Sequence, residues 1–112
     1  MLPVVDLAKV KVAKLADIAP GKMTGVDIQG KKVVIANVNG KLYAMDGLCT
    51  HMAGHLWEGG LSGMTVKCPR HGAEYDLATG KNTKKPWLPF GKAFDLKTYP
   101  ISVEGDDILI EI

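Results

Sequence analysis

The chain has 112 residues and a mass of 12.0 kDa, enough for one domain with a modest core and too little for two. Hydrophobic residues make up 46% and charged residues 23%, a composition that excludes intrinsic disorder. The formal charge of +2 is too small for a nucleic-acid-binding protein, although thirteen of the fourteen basic residues are lysine and Arg70 is the sole arginine.

Leu2 to Leu7 is apolar but short and carries Pro3 and Asp6, so neither a signal-peptide core nor a membrane span is expected there. The expected setting is cytoplasmic and soluble, with no membrane partner and with both cysteines reduced. Lys9 to Leu15 (KVKVAKL) alternates apolar and polar residues, as a half-buried strand does. Ala19-Pro20-Gly21 then breaks the chain. Thr24 to Ile28, Lys32 to Ala36 and Lys41 to Met45 follow as short β-branched or aromatic segments, separated by Gln29-Gly30 and Asn39-Gly40. Asn-Gly supplies the positive φ angles of a two-residue hairpin turn, so these segments predict an antiparallel meander.

From Asp46 to Gly91 the chain is rich in glycine and shows neither helical nor strand period, so this piece needs another support, and a metal site is the economical one. Tyr99 to Val103 and Asp107 to Ile112 then flank Glu104-Gly105-Asp106, a second hairpin signal. The expected architecture is all-β and single-domain over residues 1–112. Residues 1–45 and 92–112 form a basal antiparallel part, and a loop-rich subdomain is inserted at 46–91. No internal repeat, low-complexity run or linker is visible.

The inserted piece holds both cysteines and all three histidines, arranged as two couples: Cys49-Thr50-His51 and Cys68-Pro69-Arg70-His71. Thiolate sulfur and imidazole nitrogen suit zinc or iron-sulfur chemistry rather than magnesium or calcium. Thr50 can hydrogen-bond within its loop, Pro69 restricts the second loop and Gly72 allows a sharp exit from it. Two such loops facing each other would enclose a metal centre through Cys49, His51, Cys68 and His71. From the residues alone, a structural zinc site with the same four ligands remains a rival.

C-x-H, sixteen residues, then C-x-x-H-G-x-x-Y-D resembles the Rieske iron-sulfur motif, and the resemblance extends over nearly the whole chain. It implies a Rieske fold of antiparallel sheets and one 2Fe-2S cluster, with Cys49 and Cys68 on one iron and His51 and His71 on the other. Rieske subunits of cytochrome bc complexes carry a membrane helix and an extra cysteine in each loop. This chain is similar instead to the small ferredoxins of ring-hydroxylating dioxygenase systems. That likeness implies a carrier of single electrons rather than an enzyme. Its donor would be an NAD(P)H-dependent flavoprotein reductase, its acceptor a terminal oxygenase or other redox protein. A cluster-bearing small subunit of a larger reductase is the second expectation, and a zinc module the third.

High-potential members of the family place a serine and a tyrosine shortly after the last ligand, where their hydroxyls donate to sulfur. Here Ala73 stands at the serine place and Tyr75 keeps the phenol, which predicts a midpoint in the lower half of the Rieske range of about −150 to +300 mV. Reduction adds one negative charge; Arg70 between the ligands would favour that state or engage an acidic partner, or is simply a solvated loop residue. Ionisation of the ligating imidazoles would lower the potential at alkaline pH. His55 is expected to be a partly exposed loop histidine. Trp57, Pro86, Trp87, Pro89 and Phe90 are expected to pack over the cluster. Lys81, Lys84 and Lys85 form either a basic rim or an ordinary solvated turn. The dioxygenase ferredoxins are commonly acidic, so the slight positive charge departs from their pattern.

Overall fold

Val33, Val34, Ile35 and Ala36 are all fully buried, and that run decides the architecture. Side chains of a strand point alternately to its two faces, so four consecutive buried residues need a cover on each side. The structure is a computed structural model and describes residues 9–50, 54–86 and 92–111. The central sheet contains β2 (Met23–Ile28), β3 (Lys31–Val38) and β4 (Lys41–Asp46), joined as an antiparallel meander. Val33 and Ile35 face one cluster with Leu42, Ala44, Tyr99, Ile108 and Ile110; Val34 and Ala36 face the other with Met45, Leu56, Val66, Tyr75 and Leu77. One face is covered by β1 (Lys9–Lys14), β10 (Ile101–Glu104) and β11 (Asp107–Glu111), in the order β1-β11-β10. The other faces the segment that carries the cysteines, with β5 (Gly60–Ser62), β6 (Thr65–Lys67), β7 (Glu74–Asp76) and β8 (Asn82–Lys84) in sequential order. β9 (Thr98–Tyr99) closes the central sheet beside β4. Among the described residues there are two one-turn 3-10 helices, Leu15–Asp17 and Leu56–Glu58, and no α-helix.

The expected hairpins form for the expected reason. Gln29 and Gly30 have φ of 52° and 85°, and Asn39 and Gly40 have φ of 54° and 91°, the paired positive angles of a type I′ turn. Asn37 is buried with both polar atoms of its side chain bonded: its Nδ2 donates to the Ile18 carbonyl at 2.8 Å, and its Oδ1 accepts from the Gly40 amide at 2.8 Å. It thereby ties the turn after β3 to the loop after β1.

Two expectations change in detail. Tyr99 to Val103, read as one strand, divides at Pro100: β9 pairs with β4, whereas β10 pairs with β11. Proline has no amide to donate to a ladder, so the chain leaves one sheet and enters the other at that residue. The segment read as loop-rich contains the four-stranded sheet β5–β8. Its strands are only three residues long, too short for a two-residue period to stand out from its surroundings.

Candidate metal centre

Cys49 and Cys68 come from two loops 19 residues apart in sequence, and both are 3% exposed. The first loop leaves β4 at Asp46, whose amide donates to the Lys97 carbonyl at 2.9 Å and whose Oδ1 accepts from the Tyr99 hydroxyl at 2.5 Å. Cys49 then donates its amide to the Gly54 carbonyl at 2.8 Å. The second loop joins β6 to β7 and closes through the Cys68 amide on the Ala73 carbonyl at 2.7 Å. Gly54 is the close approach between the loops. A Cβ there would stand 2.9 Å from the Cys68 sulfur and 3.2 Å from Arg70 Cγ, so any side chain would push the loops apart.

The two thiols are neighbours close enough to influence each other's ionisation. Burial pushes the Cys68 thiol up, and the neighbouring Cys49 adds to this, while the backbone N–H groups of Arg70 and His71 aimed at the sulfur pull the other way. On the other sulfur, the Tyr75 hydroxyl lies 3.2 Å from Cys49 Sγ. Tyr75 is fully buried in β7, and its hydroxyl also accepts from the Thr50 amide at 3.3 Å and sits 2.9 Å from Thr50 Oγ1. Thr50 Oγ1 accepts in turn from the Phe94 amide at 2.9 Å. Burial first, then Cys49, pushes the Tyr75 phenol up to about 12, so it stays a protonated donor at neutral pH.

This donor set fits a metal-thiolate group. Two buried sulfurs side by side ionise together only with a cation against them, and amide and phenol donors then stabilise the charge they keep. His71 is half-buried with its Nδ1 enclosed, and His51 lies outside the described residues. Among the described residues, no three His, Cys, Asp or Glu side chains gather into a metal-binding group. The structure thus brings together the cysteine half of the expected set.

The remaining expectations divide. His55 is an exposed loop residue, stacked on Trp57 at 4.5 Å with its Nδ1 3.3 Å from a Glu58 carboxylate oxygen. Trp57, in the 3-10 helix Leu56–Glu58, packs on the central sheet and against the core cluster that contains Cys49 and Cys68. Its ring occupies the space that a Cβ on Gly25 would fill, and it also lies against Gly47. No period or motif announces that match; Gly25 within a β-branched strand is the one signal that could have suggested a close approach. Pro86 is buried, while Trp87, Pro89 and Phe90 lie outside the described residues. Lys81, Lys84 and Lys85 are exposed; Lys84 pairs with Glu74 at 3.6 Å and, with Lys85, borders a groove beside Cys68. Thr50 and Phe94, which fix the Tyr75 hydroxyl, were not singled out for that role by sequence reasoning, because their contact spans 44 residues.

Residues 8–100 match the family profile described as Rieske [2Fe-2S] domain. The ferredoxin component of the naphthalene 1,2-dioxygenase/salicylate 5-hydroxylase systems of a Ralstonia species is 35% identical over 92% of this chain and 94% of its own length. The ferredoxin component of biphenyl 2,3-dioxygenase from Rhodococcus jostii is 30% identical over 95% and 94%. Among solved structures, the ferredoxin of carbazole 1,9a-dioxygenase from Nocardioides aromaticivorans superimposes with a TM-score of 0.82 at 29% identity, covering 93% of this chain and 97% of that one. A chain from the complex of reduced oxygenase and oxidized ferredoxin in carbazole 1,9a-dioxygenase gives a TM-score of 0.82 at 26% identity over 93% of each chain.

Proposed function

This chain belongs to the Rieske [2Fe-2S] domain family, and from that premise we propose that Cys49 and Cys68 hold one iron of its cluster and His51 and His71 the other. The observation that carries the assignment is the side-by-side burial of the two thiols under the Tyr75 hydroxyl and the Arg70 and His71 amides. When bound, the cluster supplies a one-electron couple. The protein's own residues keep water from the sulfurs, donate hydrogen bonds to them and hold the two loops at a fixed separation through Gly54.

The role is electron transfer without catalysis of its own. Full-length similarity to dioxygenase ferredoxin components supports a terminal oxygenase as acceptor, an NAD(P)H-dependent flavoprotein reductase as donor and a cytoplasmic setting. No helix of the described residues is long and apolar enough to cross a membrane. A reconstitution tests the role. With NADH and the reductase of a naphthalene dioxygenase system, the visible absorption of the protein should bleach, and it should return when the matching oxygenase and its aromatic substrate are added. Bleaching by dithionite together with no reduction by any such reductase would remove the dioxygenase assignment.

A further inference from the structure

A groove of about 270 Å³ opens beside Cys68, bordered by Gly60, Lys67, Arg70, Lys84 and Lys85. The register of the β5–β8 sheet builds it. Gly60 stands opposite Lys67, Lys67 opposite Glu74, and Glu74 opposite Lys84, so the four lie in one row on one face. Gly60 leaves one end of the row without a side chain. At strand spacings of about 4.8 Å, the two lysines stand roughly 10 Å apart with a single carboxylate between them. That carboxylate, Glu74, is committed to Lys84 at 3.6 Å. Among the described residues no carboxylate pairs with Lys67, Arg70 or Lys85.

Lys67, Arg70, Lys84 and Lys85 border this groove, and among the described residues no acidic residue lines it; even with Glu74 of the adjoining row counted, the local charge of +3 exceeds the net charge of +2 of the whole chain. Like charges at this separation are held together by the strand ladder, at an electrostatic cost that an incoming anion removes. The groove has the volume of about nine water molecules at ~30 Å³ each, room for a few carboxylate side chains rather than one small ion. We propose that it is the docking site for an acidic surface of the protein's redox partner, seating carboxylates against Lys67, Arg70, Lys84 and Lys85 beside the Cys68 loop. This rests on the electron-carrier reading for the identity of the partner, and on the charge arrangement alone for its chemistry.

The test uses a fluorescein-labelled hexaglutamate peptide and the purified holoprotein, with binding read by fluorescence anisotropy. The peptide should bind at about 20 mM salt and weaken at about 200 mM, as the screening length contracts. The triple variant Lys67→Gln/Lys84→Gln/Lys85→Gln should bind about tenfold more weakly, as expected for three partly exposed ion pairs. A control removing the same charge elsewhere, Lys22→Gln/Lys31→Gln/Lys41→Gln, should retain the affinity. Equal weakening in both variants, or no binding to the wild type, overturns the proposal. So does full displacement of the peptide by inorganic phosphate at an ionic strength where chloride leaves it bound, which would make the groove a small-anion site. The visible spectrum reads the cluster independently: a colourless protein that still binds the peptide at the groove would sink the electron-carrier reading and leave the charged site standing.

Discussion

The central meander and the segment between Gly47 and Leu96 are stabilised in opposite ways. β2, β3 and β4 run for six to eight residues, and β3 buries five in succession between two layers, so their positions follow from apolar area removed from water. The strands of β5–β8 are three residues each, and the loops beside them depend on single contacts: Gly54 against a sulfur, the Thr50 hydroxyl under the Phe94 amide, Tyr75 on Cys49. The first region is ordered by a repeated pattern. The second depends on a few groups meeting at one place, and it is there that a metal centre can contribute folding free energy.

Breaking the centre should therefore separate the two regions. Cys68→Ser should abolish the visible absorption. It should also reduce amide hydrogen-exchange protection by at least about tenfold across residues 54–86, while β2–β4 keep theirs. Equal loss in both regions would show one cooperative unit. Next in size is a lesion in the patterned region. Asn37→Ala removes the donor to the Ile18 carbonyl and the acceptor for the Gly40 amide in a buried place, and should cost about 2 kcal/mol in denaturant unfolding without changing the absorption spectrum.

The sequence displays these two regions unequally. Val33-Val34-Ile35-Ala36 and the Asn39-Gly40 turn announce the meander, because periodicity and turn chemistry are local properties. Cys49, His51, Cys68 and His71 stand out because their spacing is itself the motif. The rest of the site was hidden for physical reasons. Trp57 finds its place only because Gly25 in β2 lacks a side chain, and Thr50 meets Phe94 only once the chain has folded. The division at Pro100 could be suspected from its missing amide, yet which sheet each half joins depends on tertiary packing.

Smaller effects sharpen the account at single atoms. Tyr75→Phe removes the hydroxyl 3.2 Å from Cys49 Sγ, and with it a bond that strengthens as the sulfur gains charge. The midpoint should fall by about 40 mV, corresponding to roughly 1 kcal/mol for one electron. An unchanged midpoint in a potentiometric titration would detach Tyr75 from the tuning of the centre.

The smallest effect is an alkaline one. Burial, followed by the Asp46 carboxylate it donates to, pushes the Tyr99 phenol up to about 12, and Tyr75 is raised to about 12 as well. Both bind their protons more tightly folded than unfolded, so the stability they contribute is complete below about pH 10 and declines as pH rises from there towards 12. Tyr99→Phe should make the decline in unfolding free energy over that window shallower. An unaltered slope would mean that the Tyr99–Asp46 contact does not hold the proton.

The most direct test is the low-temperature EPR and visible spectrum of the purified protein before and after dithionite, with iron and zinc content determined on the same sample. A mixed cysteine-histidine cluster predicts a red-brown protein that bleaches on reduction and gains a rhombic signal with an average g below that of all-cysteine 2Fe-2S proteins. A colourless, EPR-silent protein holding stoichiometric zinc would contradict it and leave the four ligands as a structural staple.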